Sequence, residues 1–380
     1  MPRGQRPLPH VRGVIVRASL ASFFLGLMLT VCATASPARS FPGGFARTWA
    51  DTEPGRSGLH VDGNRLVDST GQTVQLRGVN RSGTEHACVQ GWGIFNGPND
   101  ATSVVAMKSW GINAVRIPLN EDCWLAINGV PAAYAGANYQ QAIKNYVSLL
   151  NQNGLYAILD LHWTAPGSTA ATQQVPMPDM DHSPAFWSDV ATTFKGNNAA
   201  ILELFNEPWP DGHKDSTAAW TCWRDGGTCP GVPFPVVGMQ PLVDLVRATG
   251  ATNVIAVGGV SYGNALSRWL TYRPTDPLNN LAAAWHVYNF NACNKDPCFD
   301  ATAGVVSAEV PVLATEIGTN CDFAFMVAAM KWLDARRAGY FAWTWNTWGS
   351  ACSSMALIAD YAGTPTDYGQ IFRTHLAARL

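Results

Sequence analysis

Short apolar runs alternate with helically spaced apolar positions along most of this chain. The runs fall at residues 74–79, 114–119, 156–161, 201–205, 254–257, 283–288, 312–315 and 340–345. They are apolar on both parities, the pattern of strands buried on both faces. Between them the spacing turns helical, most clearly at Ala142, Ile143, Tyr146, Val147 and Leu150, with Gly154 as a stop. Ser183-Pro184 supplies an N-cap and a first-turn proline ahead of Phe186, Val190 and Phe194. Met239, Leu242, Val243 and Val246 close on Gly250, a helix over 323–338 ends at Gly339, and 368–376 forms a terminal helix. Ahead of the first run, 59–61 and 65–67 flank Asp62-Gly63-Asn64, which predicts a hairpin.

Eight strands, each followed by a helix over residues 58–380, predict an α/β chain folded as a (β/α)8 TIM barrel in one domain. An open doubly wound sheet is the structural alternative. Against it, RGVNRSGTEH at 77–86 lacks the glycine spacing of a dinucleotide loop after the first strand.

The N-terminus reads as an address. Arg3, Arg6, Arg12 and Arg17 precede an apolar stretch at 20–31 and the small-residue site Ala33-Thr34-Ala35. Residues 1–35 are therefore expected to be a cleaved secretory signal, 36–57 an N-terminal extension, and the protein secreted and extracellular. Cys32 leaves with the signal, and the other eight cysteines form an even set suited to disulfides in an exported chain. Neighbours in sequence order are the expected pairs, Cys88 with Cys123, Cys222 with Cys229, Cys293 with Cys298 and Cys321 with Cys352, although spacing does not determine connectivity. A net charge of -2 excludes a basic field for nucleic acid and a polybasic membrane patch. Some of the fifteen tryptophans belong to the core, but this many also suits a protein that stacks flat, weakly charged ligands such as sugar rings.

In such a barrel, working residues stand at the C-terminal strand ends. There the chain places Asn80, Arg116, His162 with Trp163, Asn206 with Glu207, His286 with Tyr288, Glu316, and Trp343 with Trp345. In ILELFNEPWP at 201–210, Pro208 and Pro210 force the strand to end near Asn206-Glu207. A carboxylate leaving a buried strand is half desolvated, which raises its pKa toward that of a usable proton donor. Glu316 has the same setting, and two converging carboxylates are the minimum equipment for glycoside hydrolysis. Glu203 lies four residues earlier on the strand, roughly 13 Å deeper at about 3.3 Å per residue, and is assigned to a buried network with an arginine. No C-x-x-C pair, H-x-H or His/Asp cluster appears at ligand spacing, so neither a metal nor a cofactor is expected. Trp163, Trp209 and Trp348 are read as loop rings able to carry a sugar, and Trp343 and Trp345 as inward on one parity of the last strand. A non-catalytic sugar-binding barrel is the competing class, but it would need neither Glu207 nor Glu316.

The strings VRIPLN (115–120), LDLHW (159–163), LFNEPW (204–209), WHVYNF (285–290), LATEIGT (313–319) and WTWN (343–346) resemble glycoside hydrolase family 5, the cellulase family of clan A. The resemblance covers residues 58–380 in order. It implies a retaining endo-β-glycanase acting on β-1,4-glucan, with endo-β-1,4-mannanase or another β-glucan hydrolase as alternative, working as a monomer on polysaccharide. By the same resemblance Glu207 matches the acid/base, Glu316 the nucleophile, and Asn206 the residue that binds the sugar 2-hydroxyl. Arg116 and Tyr288 match the groups that hold the nucleophile ionised, His162 and His286 the cleft histidines, and Trp343 the tryptophan under the sugar at the cleavage subsite. One departure is Arg81, where many cellulases of the family carry an aromatic after G-V-N. Amino-terminal sequencing of the exported protein is expected to begin after about Ala35; a mature chain still starting at Met1 would refute the leader.

Overall fold

The computed structural model describes residues 57–349 and 351–379. The expected leader and extension lie outside them, save for Ser57. Eight parallel strands close a barrel: β1 Arg77–Asn80, β2 Ala114–Asn120, β3 Tyr156–Trp163, β4 Ala200–Glu203, β5 Ile255–Gly258, β6 Leu281–Tyr288, β7 Val312–Gly318 and β8 Gly339–Ala342. β5 pairs with β6, and β8 with β1, which leaves no free sheet edge. The predicted hairpin forms from Leu59–Asp62 and Arg65–Asp68. Its Leu59 and Leu66 are buried in one cluster with the inward side chains at the barrel floor.

Local chemistry accounts for the helices between strands. Ala137–Gln152 buries Ile143, Tyr146, Val147 and Leu150, as the helical spacing predicts, and Gly154 follows at φ +78°. Asp100 caps Ala101–Lys108 through the Ser103 amide, and Thr366 caps Asp367–Ala377 through the Gly369 amide. The helix Phe323–Ala335 ends three residues before the expected boundary, and Gly339 instead opens β8. There a Cβ would lie 2.7 Å from Leu313 Cδ2 and 3.3 Å from Leu76, so a larger residue would need the Leu313 side chain to shift.

The barrel interior changes character with height. Low positions on one parity are apolar, among them Ala114, Ile158, Ile201, Ala256, Ala284, Leu313 and Phe341. Two residues further along the same parity the strands present Arg116, Asp160, Glu203, His286 and Thr315, each no more than 1% exposed. The side chains of this upper layer converge on Arg116. Its Nε donates to Glu203 at 2.6 Å and Nη1 to Glu316 at 2.8 Å and Asn80 at 3.0 Å. Nη2 donates to Asn206 at 2.8 Å and lies 2.9 Å from Asp160. The arginine expected beside Glu203 is thus the same one that reaches Glu316.

Glu316 reaches this layer through an irregularity. Ala284 pairs with Leu313, but His286 pairs with Glu316, so β7 advances three residues while β6 advances two. The β7–β8 ladder slips between Ala314 and Ile317 as well. This bulge turns both Thr315 and Glu316, neighbours in sequence, toward the barrel axis.

Among the boundaries that differ from the sequence reading, two strand ends bear on the site. β4 ends at Glu203, yet backbone bonding continues from the Leu204 amide to Ala256 and from the Asn206 amide to Leu161, so Glu207 still leaves from a held segment. β8 ends at Ala342, so strand alternation does not reach Trp345. Trp345 is fully buried edge-on against Trp110, with ring centroids 4.8 Å apart, and only Trp343 faces the cleft.

All four expected disulfides are present, Cys88–Cys123, Cys222–Cys229, Cys293–Cys298 and Cys321–Cys352. No helix among the described residues is long and apolar enough to cross a membrane.

Burial opposes the Arg116 charge, but Asp160, Glu203 and Glu316 more than offset it and raise its pKa. Arg116→Met is expected to destabilise the fold by about 3–5 kcal/mol at neutral pH, because three buried carboxylates lose their cation. The uncompensated carboxylates would have folded-state pKa values above their unfolded ones. The penalty is therefore full above those raised values, shrinks as pH falls from them toward the ordinary carboxylate range, and is gone below it, which urea unfolding at neutral and acidic pH would measure.

Candidate active site

A cleft of about 650 Å³ opens at the C-terminal end of the strands, lined by His162, Gln174, Glu207, Tyr288, Glu316 and Trp343 among others. Glu207 stands four residues beyond β4 and Glu316 sits near the end of β7. Carboxylate oxygens of the two lie within 4.8 Å of each other, and His286 nitrogen is within the same distance. The two acids thus face one opening.

Their environments differ. Glu316 accepts from Arg116 Nη1 at 2.8 Å and from Tyr288 Oη at 2.5 Å, so two donors, one of them cationic, are aimed at its oxygens. Burial, followed by the adjacent Glu316 charge, pushes the Tyr288 hydroxyl well above its usual range and keeps it a donor. Among the described residues Glu207 has no such cation in hydrogen-bond contact. Its side chain is 15% exposed at the cleft and its Oε1 lies 2.9 Å from His286 Nδ1. Burial pushes Glu207 up to about 7, only partly countered by His162. Burial likewise pulls His286 down to about 4, leaving a neutral imidazole.

The other predicted residues divide into two sets. His162, Tyr288 and Trp343 line the cleft with the two acids. The imidazole of His162 stacks on Trp343, with centroids 5.9 Å apart and planes 14° from parallel, and its Nδ1 lies 2.6 Å from Asp160. Burial opposes the His162 charge, but Asp160 outweighs it and raises the pKa. Arg116, Asn206 and His286 stand behind this surface. Asn206 Oδ1 accepts from Arg116 Nη2, while its buried Nδ2 has no partner among the described residues.

The remaining aromatic positions are also resolved. Trp209 is half-buried in a stack with His213 and Tyr262, centroids 4.8 and 5.7 Å away. Trp348 is 41% exposed beside Trp343, and Trp163 ends β3 next to His86. Arg81 turns away from the cleft: it is buried, donates to the carbonyls of Ser82 and Pro98, and stacks over Tyr361.

Sequence reasoning missed Asp160, Thr315, Gln174 and Tyr262. Asp160 was within reach, since it shares parity with His162 on one strand. Thr315 was hidden by the bulge, and Gln174 and Tyr262 come from loops with no periodic signal.

Two groupings of carboxylate and imidazole donors occur among the described residues, Glu207 with His286 and Glu316, and Glu121 with Asp179 and His182. In the first, Glu316 already accepts from Arg116 and Tyr288, and His286 from or to Thr315, so the lone pairs are directed at protein groups. The second is a buried hydrogen-bonded cluster in which Thr164 and Ser183 bridge Glu121 and Asp179.

The chain resembles several characterised proteins. It is 22% identical over 326 residues to a mannan endo-1,4-beta-mannosidase of Salipaludibacillus agaradhaerens, covering 82% of this chain and 90% of that one. It is 24% identical over 303 residues to an endoglucanase of Streptomyces lividans, covering 76% of this chain but 56% of the relative, so it spans little more than half that protein's length. A beta-glucanase from Saccharophagus degradans, crystallised with cellotetraose, superposes with a TM-score of 0.67 at 21% identity, covering 90% of this chain and 98% of the other. Residues 67–349 match the family model for Cellulase, glycosyl hydrolase family 5. With a closed parallel barrel and two carboxylates at its C-terminal mouth, the chain belongs to glycosyl hydrolase family 5 and is a glycoside hydrolase.

Proposed function

We propose that this protein is a secreted, retaining endo-β-glycanase in which Glu207 is the acid/base and Glu316 the nucleophile, with β-1,4-glucan as the first substrate. The observation that carries the reading is the separation of the two acids. Carboxyl groups about 5–5.5 Å apart serve double displacement, whereas inversion needs about 6.5–9.5 Å to admit a water. Oxygens within 4.8 Å support the former.

The chemistry follows from the two environments. Glu207, pushed up to about 7, holds a proton at neutral and acidic pH and delivers it to the leaving glycosidic oxygen. Glu316, braced by Arg116 and Tyr288, attacks the anomeric carbon and forms a glycosyl-enzyme. Glu207, now a carboxylate, takes a proton from water, which releases the sugar and restores both groups. Asn206 directs its unpaired Nδ2 at the sugar 2-hydroxyl, Trp343 packs under the ring, and His162 is held against Trp343 by Asp160. None of these steps draws on a metal or cofactor. Export rests on the N-terminal leader and agrees with four disulfides.

An endo-β-1,4-mannanase is the second reading, favoured by the mannosidase relative, which matches over nine-tenths of its length. The position of Arg81, buried away from the cleft, also leaves the distal glucose platform of many cellulases unfilled at that point.

Reducing-sugar release on carboxymethylcellulose, lichenan and glucomannan would separate the substrates, and silence on all three would overturn the class. Glu207→Gln and Glu316→Gln are each expected to lose about two to four orders of magnitude in kcat. Because the acid works protonated, activity should fall as pH rises through about 7, and a profile flat well above that would contradict the assignment of Glu207.

A further inference from the structure

Glu203 is a buried carboxylate that the proposed chemistry does not use, yet a continuous chain of hydrogen bonds connects it to Glu207. Thr315 Oγ1 donates to Glu203 Oε1 at 2.7 Å. The same oxygen lies 3.2 Å from His286 Nε2, and His286 Nδ1 lies 2.9 Å from Glu207 Oε1. The four groups come from β4, β7, β6 and the segment after β4, so the barrel itself fixes their order.

Counting protons gives the chain a direction. Thr315 has one hydroxyl proton, and with that O–H donated to Glu203 its oxygen can only accept from His286 Nε2. A neutral imidazole has one N–H. Burial pulls the His286 pKa down, in keeping with the neutral form. With the proton on Nε2, a lone pair on Nδ1 faces Glu207, and only a protonated Glu207 completes that bond. The reverse direction would put the proton on Glu203, whose Oε2 already accepts from Arg116 Nε at 2.6 Å. Burial pushes Glu203 up to about 7, as it does Glu207, with Arg116 opposing the rise at Glu203, so the geometry ranks the two. The guanidinium sits on Glu203 Oε2, and among the described residues Glu207 has no cation in hydrogen-bond contact, which favours Glu203 as the ionised end.

We propose that Glu203 and Thr315 are positioning residues that set the tautomer of His286 and thereby hold the transferable proton on Glu207. The inference rests on the reading of Glu207 as the acid. Around the chain stand Arg116 on β2, Asp160 and His162 on β3, Tyr288 on β6, Glu316 on β7, and Tyr262 with His213 at the rim. A change at Thr315 leaves all of them in place. It also spares the Arg116–Glu203 pair, unlike a change at Glu203.

Thr315→Val keeps the shape of the side chain and removes both of its hydrogen bonds. His286 is then free to carry its proton on Nδ1 and donate it to an ionised Glu207. With whichever of carboxymethylcellulose, lichenan and glucomannan the wild type cleaves fastest, the alkaline limb of kcat/KM is expected to move about one pH unit lower in Thr315→Val. Thr315→Ser, which restores the hydroxyl, is expected to keep the wild-type limb. A folded Thr315→Val enzyme with an unmoved limb would overturn the proposal.

A second measurement reads the tautomer in the wild type itself, with a variant used only for assignment. In 15N-histidine-labelled wild-type protein at mildly acidic pH, the His286 resonance is assigned by its absence in His286→Gln. It should report a protonated Nε2 and an unprotonated Nδ1; a protonated Nδ1 would overturn the inference. Failure of the acid assignment itself would appear elsewhere, as undiminished activity of Glu207→Gln.

Discussion

A single guanidinium, fully enclosed between strands, organises the upper half of the barrel. Arg116 contacts three carboxylates and two amide oxygens from five other places in the chain. A buried cation costs several kcal/mol in lost hydration, and the cost is offset only where acceptors surround it with good geometry. Arginine suits the position because its planar fork presents donors in several fixed directions at once, which a lysine could not do. Because each acceptor is pinned by the same group, the positions of Glu203, Asn206 and Glu316 are not independent. The reactive geometry at the mouth is set by a contact below it.

That arrangement also separates the two acids electrically. Glu316 shares the cation, whereas Glu207, on a segment beyond its strand, faces a neutral imidazole. One fold thus gives two carboxyl groups a few ångströms apart opposite environments, through the direction from which each is approached.

How much of this could be read in the chain depended on which periodicity carried it. Strand count, order and closure followed from eight apolar runs separated by helical spacing, and each bridge joined cysteines adjacent in order. The strand-end carboxylates 207 and 316 stood out because each ends an apolar run ahead of a breaker. Alternation failed where the backbone left its regular repeat. The slip in β7 brings Thr315 and Glu316 to the same side, and strict two-residue alternation would have sent one of them outward. At the end of β8 alternation was extended past Ala342, which gave Trp345 the same inward parity as Trp343, whereas it packs against Trp110. Gln174, His213 and Tyr262 come from long connections whose conformation depends on tertiary contacts, and local residue type does not encode that.

The disulfides lie in connections of the same kind, and one of them, Cys222–Cys229, shares the connection that carries His213. Cys88–Cys123 joins the segments that follow β1 and β2, and Cys321–Cys352 joins those that follow β7 and β8. The other two each close a short loop within one crossing, after β4 and after β6. None reaches the hairpin or the apolar floor. The molecule is thus divided into a base held by packing and a crown held by covalent ties. Such a division lets the crown be re-lettered, one tied segment at a time, to suit a different saccharide while the base is left as it is.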